Sequence, residues 1–497
     1  VSMRIEWPLH VVRRVAVSVA LAAVVAVGGY FGVSWYQRAD ARCADGVVKQ
    51  GPAHECVGVT DGSYAFADDL KGVEGRIRKE NARVAKEAGG DYVSIAYMTT
   101  MTLTAQDSNS RESIRHELEG AYLAQYRHNR GDIKAAPPVR LLIANTGSEA
   151  AYWKHTVGEL VARRDEDHLV AVTGLGPSTG ADLAAVRELS RHRLALVAST
   201  MTADNITNIK NLVRVTPTNT DEARAAAAYL KSSNAYRTAA VVQDAAAGNL
   251  YASSLGKAFV AAYPDAHHAL VRGKAVQTYD SSVGESWETE LDLITTNLCD
   301  AKPQLIYFAG RGIHLTRFLQ ALAHRSCDWT GFTVMTGDDT TNLTADRLHE
   351  AARTGIPVLY TGLAHPDMYR ETAKDGRRVV DTTSAAAFGP QGPLAQWFPS
   401  DPRDDGQAMM AHDAVLTAEK GAALADRGQG VPHGDAVARM FEQMQGNNQV
   451  PGAGGFLTFR EDGSPVNKAV PILRLDKDGT SAFVEVSAAG GTPQPGR

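Results

Sequence analysis

Between residues 171 and 182 the chain reads AVTGLGPSTGAD, and two chemistries use residues of this kind at this spacing. Gly176, Ser178 and Gly180 match the G-x-S-x-G turn that lifts a nucleophilic serine above a sheet, and GLGPSTG loosely matches a glycine-rich loop that wraps phosphate. A hydrolase needs an acid and then a histidine further along, with oxyanion donors from an earlier loop. Asp338, Asp339, His365, His412 and His433 supply the order. No HGG-like loop precedes the serine, however, and Pro177 removes a backbone N–H beside it, so a serine hydrolase using Ser178 is the remote alternative. A dinucleotide site wants an acidic residue about 20 positions on. Here the next strand ends in ASTMT (198–202), and no Gly-Lys-Ser/Thr follows for a P-loop. What remains is a strand-to-helix turn whose Ser178 and Thr179 hydroxyls and unpaired amides suit a carboxylate or another small anion. Ser199, Thr200 and Thr202 close the following strand, so two neighbouring strands bring hydroxyl donors to one sheet edge.

The elements that must hold these groups follow a rhythm. Short apolar runs, DYVSIAYMTT (91–100), VRLLIAN (139–145), HLVAVTG (168–174) and RLALVAS (193–199), alternate with helix-period segments such as 113–129, 149–164 and 181–192. Continuous β-branched and aliphatic runs between amphipathic helices describe a parallel sheet covered on both faces. The rhythm restarts after 220, with DEARAAAAYL as helix, TAAVVQD, QLIYFAG, FTVMTGD and IPVLYTG as strands, and helices between them. Two doubly wound α/β units in tandem are predicted, with a ligand cleft where strand C-termini meet. Residues 406–426 read as a long helix, 454–486 as a β-hairpin edge around Asp-Gly turns, and the tail 487–497 as disordered.

At the N-terminus, residues 15–36 carry no charge over a span of about 33 Å as a helix, enough for a hydrocarbon core of about 30 Å. Arg4, Arg13 and Arg14 precede the run, and Tyr30, Trp35 and Tyr36 stand at its far end as an interfacial belt would. The expectation is a short cytoplasmic head (1–14), a single transmembrane helix (15–36), a juxtamembrane segment (37–90) and an extracytoplasmic remainder. The competing reading is a signal peptide cleaved near ADA (39–41). Four cysteines fall into two close pairs, Cys43 with Cys56 and Cys299 with Cys327, and an even count in an exported chain favours disulfides. A formal net charge of −5 with interspersed signs leaves no footprint for nucleic acid. HELEG (116–120) lacks the second histidine of a zincin helix, and the adjacent His267 and His268 make no metal site, so neither metal nor cofactor is expected.

From about 91 to 486 the chain resembles the type I periplasmic-binding-protein fold, and within it the branched-chain amino-acid and amide-binding proteins of ABC transporters and the ligand-binding regions of related receptors. The resemblance is carried by HELEGAYLAQYRHN, GPSTGADLAAVRELSRHRLALVASTMT, VRVTPTNTDEARAAAAYL, AAVVQDAAAGNLYASSLGKAF, QLIYFAGRGIHLTRFLQALA and GFLTFREDGSPVNKAVPILRL, in order. It implies a hinged pair of lobes, 91–218 with 363–453 and 219–362 with 454–486, closing on a small polar ligand without covalent chemistry. It also implies a ligand carboxylate at Thr179, beside the Ser178 hydroxyl already singled out, at the Thr200 backbone and at the Thr202 hydroxyl, an aromatic contact from Tyr251, and Asp339 as partner of the ligand's ammonium. Arg311, in FAGRG, stands where the family commonly has an aromatic residue; a guanidinium there favours a second anionic group or an amide, or pairs with Asp338 or Asp339. An ABC permease is the implied partner, with a ligand sensor or envelope scaffold acting on another membrane protein as the alternative.

Overall fold

The computed structural model describes residues 41–496 apart from 132, 134, 135, 234, 400–402 and 429, together with 11, 13, 14 and 16–20. The apolar run 15–36 therefore lies outside the described residues except for 16–20; among those described, no helix is long and apolar enough to cross a membrane. The chain divides into two compact units, 1–56 and 57–497. In the first unit β1 (Arg42–Ala44) pairs antiparallel with β2 (Val47–Gln50), and Cys43 is bonded to Cys56.

The larger unit holds two sheets. The first contains β3 (Glu55–Thr60), β4 (Val93–Thr99), β5 (Val139–Asn145), β6 (Leu169–Gly174), β7 (Ala195–Ala198) and β8 (Leu212–Arg214), in the order β3-β5-β4-β6-β7-β8. All its pairings are parallel except β3 against β5. Both faces are covered, which is why β4 is buried at every position. Along it, Ile95 joins the layer with Leu123 and Met409, and the alternate residues Ala96 and Met98 join the layer with Leu183 and Leu189. The helices Arg111–His128 and Gln407–Ala425 cross closely because Gly120 has no side chain: a Cβ there would stand 1.8 Å from the Ala408 carbonyl oxygen.

The second sheet gathers β9 (Thr238–Asp244), β10 (Ala269–Leu270), β11 (Val276–Tyr279), β12 (Leu305–Ala309), β13 (Thr333–Thr336) and β14 (Val358–Thr361). β9, β12, β13 and β14 are parallel neighbours, and β10 and β11 follow one another along the outer side of β9. After the short ladder of β15 (Val450–Pro451) with β16 (Phe456–Leu457), β17 (Val470–Leu475) and β18 (Ser481–Ser487) extend the sheet antiparallel from β14. The hairpin expected over 454–486 is thus divided: only the second Asp-Gly turn, Asp478-Gly479, joins hairpin strands of this sheet, while Asp462-Gly463 turns a separate loop whose ends meet at Phe459 and Pro465. The pair Cys299–Cys327 is bonded within this half, Cys299 lying in the last turn of the helix Ser286–Ala301.

Two expectations need correction. Residues 57–88, placed by sequence in the juxtamembrane segment 37–90, are part of the larger unit: β3 pairs with β5 in the first sheet, and the helix Lys71–Ala88 buries Val73, Ile77 and Val84. From that helix the Asn81 amide donates to the Leu141 carbonyl (2.8 Å) and accepts from the Leu141 N–H (2.9 Å), standing in for a neighbouring strand along β5. The tail expected to be disordered is also fixed. Gly490 N–H donates to Asn467 Oδ1, Gln494 N–H to the Asn467 carbonyl and Gly496 N–H to the Arg378 carbonyl. Gly and Pro there serve a folded path along the surface, a pattern that composition does not distinguish from disorder.

Candidate functional site: the cleft between the two sheets

The turn after β6 is built by backbone constraint. Leu175 and Gly176 both have positive φ (74° and 76°), and a Cβ on Gly176 would come within 2.4 Å of Asp182 Oδ1. Thr179 caps the helix Gly180–Arg191: its Oγ1 accepts from Asp182 N–H (3.2 Å) and donates to Asp182 Oδ2. Ser178 Oγ accepts from the amides of Thr202 (3.0 Å) and Ala203 (3.1 Å). That occupies the hydroxyl oxygen with backbone, and among the described residues no histidine bonds it, so the turn is not an activated-serine arrangement.

The first loop's Ser178 hydroxyl is therefore tied to the backbone of the second loop. Thr202 is 1% exposed, and Thr200 Oγ1 donates to the Gly176 carbonyl. Thr202 and Ser178 form a buried clasp between the two loops; only Thr179 of this set lines the cleft. Residue spacing placed these groups on one sheet edge but carried no information about which way the loop turned them.

The other three residues, Tyr251, Arg311 and Asp339, meet. Arg311 begins the helix Gly312–Ala323 at the end of β12, in extended conformation. Its Nη1 donates to Asp339 Oδ1 (3.1 Å), its Nη2 donates across to the Ser178 carbonyl (3.0 Å), and its guanidinium lies 5.0 Å from the Tyr251 ring centroid. Asp339 also accepts from Gly312 N–H (2.6 Å) and from the Asn342 amide, and the Tyr251 hydroxyl accepts from Asp339 N–H (3.3 Å). Glycines make room for this packing: a Cβ on Gly310 would meet the Tyr279 hydroxyl at 2.3 Å, and one on Gly337 the Tyr251 hydroxyl at 2.1 Å.

Sequence reasoning missed the groups behind and beside this cluster. Glu222, read only as part of a helix-forming stretch, accepts from Asp338 N–H (3.0 Å) and from the Thr361 hydroxyl, tying β13 and β14 to the helix Asn219–Ser232. Burial and the neighbouring Glu222 hold the Asp338 carboxyl well above the usual carboxylate range. Burial likewise pushes Asp182 up to about 7, opposed by the Thr179 hydrogen bond and by Arg311. His314 accompanies Arg311 on the same helix, with its ring 4.6 Å from that of Trp287; burial lowers its pKa and favours the neutral imidazole.

Around these groups runs a cleft of about 1100 Å³. Asp107, Thr179 and Asp182 line it from the first sheet's side, and Asn249, Trp287 and Arg311 from the second's. A single antiparallel bridge between Thr179 and Asn249 joins its walls. Among the described residues no cluster of three or more histidine, cysteine or acidic side chains is arranged to hold a metal ion.

No family model and no curated protein matches the sequence. Among solved structures the chain is similar to the leucine-binding protein LivK of Thermotoga maritima, with 15% identity, a TM-score of 0.59, and coverage of 80% of this chain and 98% of that one. It is similar to the branched-chain amino-acid transporter substrate-binding protein LivJ of Streptococcus pneumoniae, solved with isoleucine (15%, TM-score 0.59, 80% and 99% covered). A Rhodopseudomonas palustris ABC-transporter solute-binding protein, solved with 3,4-dihydroxybenzoic acid, is also similar (15%, TM-score 0.56, 80% and 97% covered). The fold is that of a type I periplasmic binding protein. The Arg311 cluster lies where the loop after β12 meets the loop after β6, and Asp339, which the resemblance implied as an ammonium partner, is already partnered from within.

Proposed function

We propose that this chain is a solute-binding protein that clamps a small polar molecule between its two lobes, with carboxylic acids and their amides as the solute class. The observation that carries the reading is the cleft itself: its walls come from both lobes, and one side chain, Arg311, reaches across its floor from the second lobe to the Ser178 carbonyl of the first. Such a contact belongs to jaws that meet, and a solute that adds contacts to both walls stabilises the met state. The neighbours of the same fold support it, being solved with leucine-like amino acids or an aromatic acid, all of which carry a carboxylate. Delivery to an ABC permease, with the run 15–36 as membrane anchor and the lobes outside the cytoplasm, completes the proposal; two disulfides suit that oxidising side. Titration calorimetry of the full chain against a panel of carboxylates, amides and amino acids tests it. Saturable binding at micromolar concentrations is expected, and a folded protein that releases no heat with any member of the panel overturns it.

A further inference from the structure

An ammonium subsite in a protein interior needs a carboxylate, further acceptors and a cation-tolerant face, and in this cleft all three meet a cation of the chain itself. Asp339 is 4% exposed, and both its oxygens are engaged, Oδ1 by Arg311 and Asn342 and Oδ2 by Gly312 N–H. The Ser178 carbonyl accepts from Arg311 Nη2, and the Tyr251 ring lies beneath the same guanidinium. Asp338, next along the chain, donates its N–H to Glu222 and is not among the residues that line the cleft; the glutamates that do are exposed (Glu149 and Glu285) or half-buried and already accepting, Glu288 from Arg317 and Glu350 from Gln320. On the opposite wall the Asp107 carboxylate already accepts from Thr104, Ser148 and the Glu149 amide, and Asp182 accepts from Thr179. A solute ammonium at Asp339 would have to displace Arg311 or stand beside a like charge in a site of low polarity, where repulsion is large. Arg311 is 8% exposed and lines the cleft, and a guanidinium has more donors than Asp339 and Ser178 use; among the described residues nothing else accepts from it.

We infer that Arg311 takes the place of a solute's ammonium, so that the cleft selects acceptor-bearing solutes, carboxylic acids or their amides, that carry no α-ammonium. This rests on the solute-binding reading above and narrows it to one ligand class. Trp287, beside His314 on the same wall, gives the rest of such a solute an aromatic surface.

Matched pairs test it by calorimetry on the full chain: L-leucine against its des-amino analogue isocaproate, and L-phenylalanine against hydrocinnamate and hydrocinnamamide. In the wild-type chain the des-amino member of each pair, or its amide, is expected to bind at least about tenfold more tightly than the amino acid. Arg311→Ala frees Asp339 and shifts the ranking about tenfold or more towards the amino acid, while Arg311→Lys, which keeps the charge, preserves the order; circular dichroism melts confirm that each variant is folded. Should Arg311→Ala not fold, the wild-type ranking alone decides. Amino acids that bind wild-type chain as tightly as their des-amino analogues overturn the ligand class and leave the solute clamp standing. A folded wild-type chain that binds no member of any pair, and none of the wider panel, overturns both.

Discussion

Asp182 is where the cost of building this cleft is measurable in a single residue. Its carboxyl is buried beside Thr179 and within reach of the Arg311 field, yet desolvation outweighs both and leaves the pKa at about 7 in place of an ordinary 3.8. Arg311 offsets little of it because its own hydrogen bonds run to Asp339 and Ser178. The sign follows from proton binding: between pH 4 and 7 the folded chain holds a proton that the unfolded chain has released, so this residue's stabilising contribution is complete below pH 4 and is lost as pH rises towards 7. Asp182→Asn removes the ionisation while keeping the shape. Urea unfolding should therefore find the variant and wild-type chain alike at pH 4, and the variant more stable by about 4 kcal/mol at pH 8. Equal stabilities at pH 8 would mean that water or an alternative rotamer solvates the charged form.

At the scale of elements, the tightest constraint is the crossing of Arg111–His128 with Gln407–Ala425, which brings a late helix onto the first sheet. Because the nearest atom to a Cβ at Gly120 is a backbone oxygen and not a flexible side chain, the helices must separate to accept one. Gly120→Ala, favourable by helix propensity, is expected to lose about 3 kcal/mol in denaturant unfolding. Elements of this kind were the legible part of the sequence. The unbroken apolar runs that became β4, β5 and β6 announced strands buried on two faces, whereas Arg311 and Asp339, which the structure pairs, were singled out only through the family resemblance. What stayed hidden depended on side-chain direction or on partners distant in sequence. Thr202 has the right type and place and faces inward; Glu222 looks like any acidic residue in a first helical turn until Asp338 and Thr361 close on it; Asn81 mimics a strand only once β5 lies beside it.

For the whole molecule the question is what holds the lobes together when no solute is bound. Across the cleft, the Arg311 bond to the Ser178 carbonyl and the Thr179–Asn249 bridge act at the jaws, while the chain crosses between the sheets after β8, after β14 and again before β17, where a hinge can turn. An internal guanidinium that makes some of the interactions a solute would otherwise make biases the open–closed equilibrium towards closure in advance, and that bias has a limit set by its one hydrogen bond across the cleft, to the Ser178 carbonyl, because the Arg311–Asp339 pair lies within one lobe. All four cysteines are bonded, so cysteines introduced at Ser108 and Ser282, which line opposite walls of the cleft, would carry spin labels without competition from free thiols. The wild-type chain without solute should give a narrow, short distance distribution, and Arg311→Ala a broad one extending to longer distances as the jaws part. Adding a solute that the variant binds should restore the short peak, because the ligand then bridges the two walls in place of the arginine side chain. An unchanged distribution in Arg311→Ala would assign closure to the hinge strands and leave Arg311 with ligand selection alone.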